Sequence, residues 1–325
     1  MTDFLEQPAE GSERLRPSVA VADATGVLTA AGIEPARAEA ELLAAYVLDT
    51  SRGRLALTAR LTLAQLERYR ELVARRAARE PLQHLLGSAP FRYLELAVGP
   101  GVFVPRPETE LLAGWGVDAV RVLAGGTGGS GAAGDPIVID LCSGSGAIAL
   151  AVAEEVPGAR VVAVERSVEA LVWLRRNAAE RAAAGDRPIE VVAGDVTDPG
   201  LLAELTGRVD VLLCNPPYVP EATAVPPEVA DHDPAEAVFG GADGLAVIRP
   251  VLDRAAVLLR PGGLLGIEHD DTHAEAVPAL LRAHGRFEEV RDHPDLAGRA
   301  RFVTARRSGG TRADDAAPAW QTGSS

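Results

Sequence analysis

From residue 137 onward, short apolar runs alternate with helix-patterned stretches. "IVIDLCSGS" leads into "GAIALAVAEEV", "RVVAVER" leads into "SVEALVWLRRNAAERAAA", and "IEVVAGD" and "DVLLCNPPYVP" follow. Strands this short and apolar, separated by helices, are buried on both faces, so the pattern predicts a parallel, doubly wound sheet covered on both sides. "GLAVIRPVLDRAAVLL" supplies a further helix, "GGLLGIEHD" a further strand, and a helix is expected over 272–285. The closing runs, "FEEVRDHPD" and "ARFVTAR", are too near each other for a crossover helix, which predicts an antiparallel edge.

Upstream the period is helical. "VADATGVLTAAGI", "EPARAEAELLAAYVLD" and "TLAQLERYRELVARRAARE" read as three helices. Pro35 near the start of the second costs no hydrogen bond there, and Thr62 can cap the third, where Leu63, Leu66, Tyr69 and Leu72 recur at helical spacing. Between 88 and 104 the pattern alternates and holds two turn signals, which predicts a β-hairpin, with a helix beginning near "RPETELLAGWGVDAVRVLA". The expected organisation is a loose tail over 1–16, a helical domain over 17–86, a hairpin linker over 87–106, an α/β domain over 107–307 and a second tail over 308–325. The Gly-rich stretch at 125–134 reads as a tolerated surface insert.

The formal charge is −14 and the chain has no lysine. That balance argues against a broad phosphate-binding surface, which needs clustered positive charge. The two cysteines, Cys142 and Cys214, read as reduced core residues, and His269 with His273 lack the further ligands that a metal site needs, so no metal is expected. The polar, acidic N-terminus has no signal-peptide pattern and no run of about 18 apolar residues occurs, so a cytoplasmic protein without a membrane partner is expected.

The first strand ends at Asp140 and passes through Cys142, Ser143, Gly144, Ser145 and Gly146 into a helix. Glycines let the backbone approach a ligand, and the helix start offers free N–H groups. Glu165 ends the second strand, about 20 residues further on, where a ribose-binding acid belongs. Asp195, followed by Val196, ends the third. Ala149 is tolerated where a dinucleotide fingerprint has its third glycine, so NAD stays open on the glycines alone. Asp140 in front of the loop suits a cationic ligand better than a pyrophosphate, which favours S-adenosylmethionine (SAM).

Asn215, Pro216, Pro217 and Tyr218 then end a strand. Two prolines exclude helix and stiffen the turn. Asn-Pro-Pro-Tyr after a SAM loop resembles the methyltransferases that act on planar, amide-like nitrogens. Such a nitrogen is a poor nucleophile. Two acceptors facing its two hydrogens, the Asn215 oxygen and the Pro216 carbonyl, would hold it and stabilise the charge that develops on it. Tyr218 would lie against the flat substrate.

"EPLQHLLGSAPFRYLELAVGPGVFVPRPETELL", "HDPAEAVFGGADGLAVIRPVL", "LRPGGLLGIEHDDTHAEAV" and "HPDLAGRARFVTARR" resemble the release factor glutamine methyltransferases (the PrmC/HemK family), over residues 17 to 307. The resemblance implies a class I SAM-dependent methyltransferase, Rossmann-like, with a mostly parallel sheet, an antiparallel edge and a small N-terminal helical domain that grips the protein substrate. It implies SAM as donor and, as acceptor, the Gln of the Gly-Gly-Gln motif in peptide chain release factors. By the same resemblance the SAM loop falls on Cys142 to Gly146, the ribose acid on Glu165, the adenine contact on Asp195 and Val196, and the substrate turn on Asn215 to Tyr218. Phe103, Pro105, Arg106, Glu108 and Thr109 fall on the "PRPETE" region bordering both pockets. Cys142 stands where the family usually has glycine, which fits if φ there is negative, and Val196 stands near a usual aromatic. The competing expectations are an adenine-N6 methyltransferase on DNA or RNA, a ribosomal protein L3 glutamine methyltransferase, and a non-catalytic or oxidoreductase Rossmann module.

Overall fold

The computed structural model describes residues 15–125 and 135–309. Most of the expected tails and of the Gly-rich insert lies outside the described residues. The chain divides into two compact units, one ending at Gly87 and one beginning at Ser88.

In the first unit, helices α1 (Pro17–Ala30), α2 (Ala36–Val47), α3 (Leu63–Ala77) and the short α4 (Leu82–Leu86) enclose a common apolar cluster. Thr62 caps α3 as expected: its side chain accepts from the Gln65 N–H while Gln65 reaches back, forming a capping box. Leu66, Tyr69 and Leu72 lie on the buried face, and the Tyr69 hydroxyl donates to the Ala40 carbonyl at 3.0 Å.

The second unit opens with a hairpin, β1 (Ser88–Phe91) and β2 (Leu94–Ala97), and continues with α5 (Thr109–Gly125). Then follow β3 (Ile137–Leu141), α6 (Ala147–Glu155), β4 (Arg160–Glu165), α7 (Val168–Ala183), β5 (Glu190–Ala193) and β6 (Val209–Cys214). Short helices α8 (Pro227–His232) and α9 (Ala235–Val238) precede α10 (Ile248–Leu258), β7 (Leu259–Glu268), α11 (Ala276–His284), β8 (Phe287–Pro294) and β9 (Ala300–Arg307). The helix expected over 272–285 is α11 alone; a separate turn of 3-10 helix at Asp271–His273 precedes it, with Asp270 capping that turn through Thr272.

The seven-stranded sheet runs β5-β4-β3-β6-β7-β9-β8. The first five strands are parallel and β9 is antiparallel to both neighbours. Side chains alternate between two cores. Ile139, Leu141, Leu212 and Cys214 face one, and Val138, Val211 and Leu213 face the other. Both faces are therefore apolar, and each fully buried aliphatic contributes on the order of 1.5–3 kcal/mol. The chain steps outward from β3 to β5 and then returns to β6 beside β3, so strand order reverses between β3 and β6. In open α/β sheets ligands bind at such a reversal, beyond the carboxyl ends of the strands.

Candidate active site

Leu141 pairs with Cys214, so the loop after β3 and the turn after β6 leave the sheet side by side. Around them lies a cavity of about 530 Å³, within the usual range for small-ligand sites. Phe103, Arg106, Asp140, Cys142, Ser143, Gly144, Ser145, Glu165, Asp195, Val196, Asn215, Pro216, Pro217 and Tyr218 all line it. Gly146 does not. It supports the loop from behind, with φ +89° and a Cβ position only 2.6 Å from Leu174 Cδ1.

The loop is held by its neighbours. Glu165 spends both oxygens on backbone: Oε2 accepts from the Gly144 N–H at 2.8 Å, and Oε1 accepts from Arg166 and Ser167 at 2.8 and 2.7 Å. The Ser143 N–H donates to the Val164 carbonyl and its hydroxyl to the Asp140 carbonyl. Asn177, buried in α7, donates to the carbonyls of Ser145 and Ala97 and accepts from the Ala97 N–H, tying the hairpin to the loop. Val98, Val102 and Val104 pack with Ala170 and Trp173 of α7, which carries the "PRPETE" segment to the cavity.

Asp140 Oδ2 accepts from the Ala149 N–H at 3.2 Å, and Oδ1 has no hydrogen-bond partner among the described residues. Burial pushes this carboxyl up to about 7. Asp195 is lowered, first by the Thr197 backbone N–H, which it accepts at 2.8 Å.

The Asn215 Nδ2 donates to Thr109 Oγ1 at 3.1 Å. That leaves Oδ1 as the free end of the amide. The Tyr218 hydroxyl donates to Glu268 Oε1 at 2.9 Å, which leaves the ring as a wall. Glu268 ends β7, is 1% exposed, lines the cavity, and is raised by burial to about 7. Beyond the turn, Val219 bridges Phe239, closing the 220–238 segment over the site; Val225, Pro226 and Val229 line the cavity from it. Arg106 stacks over the Phe103 ring at 4.9 Å and pairs with the buried Asp233 at 2.6 Å, so its charge is already balanced.

Residues 20–87 match the family model for the PrmC N-terminal domain, and residues 133–232 match that for the methyltransferase small domain. The release factor glutamine methyltransferase of Mycolicibacterium smegmatis is 49% identical over 294 residues, covering 90% of this chain and 98% of that protein. The chain belongs to the release factor glutamine methyltransferases. The enzyme of that name from Streptomyces coelicolor is 48% identical, over 89% and 97% of the two chains. A relative with a different printed substrate, the 4-amino-L-phenylalanine/4-methylamino-L-phenylalanine methyltransferase of Streptomyces pristinaespiralis, is 39% identical over 85% and 90%.

The methyltransferase is SAM-dependent, and the loop suits that ligand: the Gly144 Cβ position meets nothing within 4 Å, and an unpaired carboxylate oxygen lies on the cavity wall. One expectation needs correction. Cys142 has φ +59°, in the left-handed region, and not the negative angle at which a cysteine fits without strain. The chain must reverse directly after Leu141 so that the Ser143 N–H can reach Val164, and Cys142 takes the strain. Glu268 and Arg301, both on the cavity wall, were missed. Glu268 carries the signal that marked Asp140, Glu165 and Asp195, an acid closing a strand. Arg301 carries none. No helix among the described residues is long and apolar enough to cross a membrane.

Proposed function

We propose that this enzyme methylates the side-chain amide nitrogen of the glutamine in the Gly-Gly-Gln motif of peptide chain release factors, and that the cavity holds SAM and the glutamine side by side. The carrying observation is the Asn215 amide. Its Nδ2 is engaged by Thr109, so a residue on the cavity wall has a free acceptor, next to the Pro216 carbonyl. A planar NH2 group needs two acceptors and no donor facing it.

SAM supplies an electrophilic methyl group on a sulfonium. Asp140 would face its cationic part, the Cys142–Gly146 loop would carry its main chain, Glu165 would take the ribose, and Asp195 with Val196 the adenine. Asn215 Oδ1 and the Pro216 carbonyl would accept the two amide hydrogens, hold the lone pair toward the methyl group, and stabilise the positive charge that develops on nitrogen. Pro217 stiffens the turn; Tyr218 and Phe103 would flank the amide plane. Arg106, neutralised by Asp233, would shape the pocket rather than supply charge. The first unit would grip the release factor.

Incubation with labelled SAM, a release factor, total nucleic acid and 4-amino-L-phenylalanine separates the readings. Label is expected on the release factor glutamine; label only on nucleic acid or only on the arylamine would overturn the assignment. Asn215→Ala is expected to lower kcat by about 10²–10³, the order seen when one hydrogen-bonding group of such a site is removed. SAM binding should persist.

A further inference from the structure

Pro216 and Pro217 have no backbone N–H, so at these two positions the Asn215–Tyr218 turn cannot tie itself to the sheet by donating. The loop after α9 packs against it instead. The Val219 N–H donates to the Val238 carbonyl at 3.0 Å, and the Gly240 N–H donates to the Val219 carbonyl at 2.9 Å. Beside that bridge the loop and the turn meet through backbone. A Cβ on Gly240 would lie 2.6 Å from the Pro217 carbonyl oxygen, and one on Gly244, at φ +72°, would collide with the Tyr218 carbonyl oxygen.

His273 packs at the same point. Its Cε1 lies 2.6 Å from where a Gly244 Cβ would stand, and its Nε2 is 3.0 Å from the Asp243 carbonyl oxygen. A carbonyl can only accept, so Nε2 carries a hydrogen and donates it. Nδ1 has no hydrogen-bond partner among the described residues. Asp243 is fixed on its other side: Oδ1 accepts from the Leu245 N–H at 3.0 Å, and Oδ2 pairs with Arg249 at 2.5 Å. His273 is buried, and its own N–H donates to the Asp270 carbonyl at 2.9 Å, which anchors the 3-10 turn between β7 and α11. The two histidines of "EHDDTH" thus serve separate partners, since His269 Nε2 meets Asp292 Oδ1 at 2.8 Å. Gly240, Gly244 and His273 do not line the cavity.

We infer that His273 is a positioning residue for methyl transfer: through the Asp243 carbonyl it holds Gly244 against the Asn215–Tyr218 turn, and so fixes where the Asn215 oxygen and the Pro216 carbonyl stand. This role presupposes that those two groups are the amide acceptors. They must meet two hydrogens of one planar group while its nitrogen stays in line with the methyl donor, and a misplacement of about 1 Å can cost on the order of 10²-fold in rate. The proline pair keeps the turn from bending but does not stop it shifting as a whole. Gly244 stops that shift only while something backs it. Without the His273 donor, the Asp243 carbonyl is left unpaired and the loop relaxes to find another partner. The residues assigned to SAM follow β3, β4 and β5, so the loss falls on the transfer step and spares the cofactor.

Two substitutions of similar size separate the donor from the bulk. His273→Leu fills the space without a donor; His273→Gln keeps an N–H that can reach the Asp243 carbonyl. Full-length variants are assayed with a release factor at saturating SAM, or, if the competition assay above places the label elsewhere, on that acceptor. Rates are referred to the fraction folded at the assay temperature, read by circular dichroism, and SAM affinity is read by calorimetric titration. His273→Leu is expected to lose about tenfold or more in kcat, with the SAM dissociation constant within about twofold of wild type. His273→Gln should stay within about threefold of wild-type kcat. Gly244→Ala, which presses on the turn directly, should show the same split as His273→Leu. A His273→Leu enzyme with wild-type kcat would overturn the inference, as would His273→Gln as impaired as His273→Leu, or a SAM affinity that falls in step with kcat. Because every rate is a ratio to wild type on the acceptor that wild type methylates, an acceptor other than the release factor counts against the functional assignment alone.

Discussion

At position 142 a cysteine occupies backbone that favours glycine. The left-handed conformation costs an L-residue roughly 1–2 kcal/mol, and Cys142 adopts it at φ +59°. Its side chain packs against the core cluster that contains the buried Cys214. Cys142→Gly removes the strain, gives up that packing, and adds roughly 0.5–1 kcal/mol of unfolded-chain entropy. The terms nearly cancel, so denaturant unfolding should place the variant within about 1 kcal/mol of wild type. A loss above about 2 kcal/mol would show that the side-chain packing outweighs the strain. That Asn215, Glu165 and Asp195 stand on the cavity wall was legible one residue at a time, because an amide or acid that closes an apolar run lies at the carboxyl end of a strand, where such a sheet opens its cleft. The contact between Asn215 and Thr109 was less so: it joins residues 106 positions apart, and no local pattern encodes that meeting.

Among the elements, the β3–α6 connection lines the cavity with Cys142, Ser143, Gly144 and Ser145. It contains two glycines at positive φ, and Gly146 has Leu174 against its Cα. Gly146→Ala would place a methyl 2.6 Å from Leu174 Cδ1 at φ +89°. Strain and overpacking together should destabilise the protein by about 2–4 kcal/mol and weaken SAM binding at least tenfold, read by unfolding and by calorimetric titration. Unchanged SAM affinity would remove the loop from the cofactor site. The hairpin illustrates a different limit. Its alternation and turns were readable, but its attachment to α7 through Asn177 is a long-range pairing between residues that look unremarkable in isolation.

For the molecule as a whole, the buried acids set how stability responds to pH. Asp140 is held at about 7, above its ordinary 3.8. The folded state therefore binds its proton more tightly than the unfolded chain, and the contribution of this residue to stability declines as pH rises from about 4 to 7. His284 and His293, both lowered by burial, act in the opposite sense, so the wild-type curve alone does not isolate Asp140. Asp140→Asn does: relative to wild type, its melting temperature should climb between pH 5 and 8, by an amount on the order of several degrees. A pH-independent difference would contradict the burial of an ionisable group there. The alternation of apolar runs and helices was enough to announce a doubly wound parallel sheet, because strands buried on two faces are made mostly of apolar residues. The short spacing between "FEEVRDHPD" and "ARFVTAR" was enough to announce an antiparallel edge. Strand order was not readable: β9, the last strand in the chain, inserts between β7 and β8, since pairing partners are chosen by sheet geometry and not by proximity in sequence. The same holds for the site. Asp140 and Asn215 could each be recognised from their own strand, but their adjacency, and the contact that orients Asn215 through Thr109, exist only where β3, β6 and α5 converge, because a hydrogen bond is defined by the distance between its atoms and the chain brings those atoms together only once it has folded.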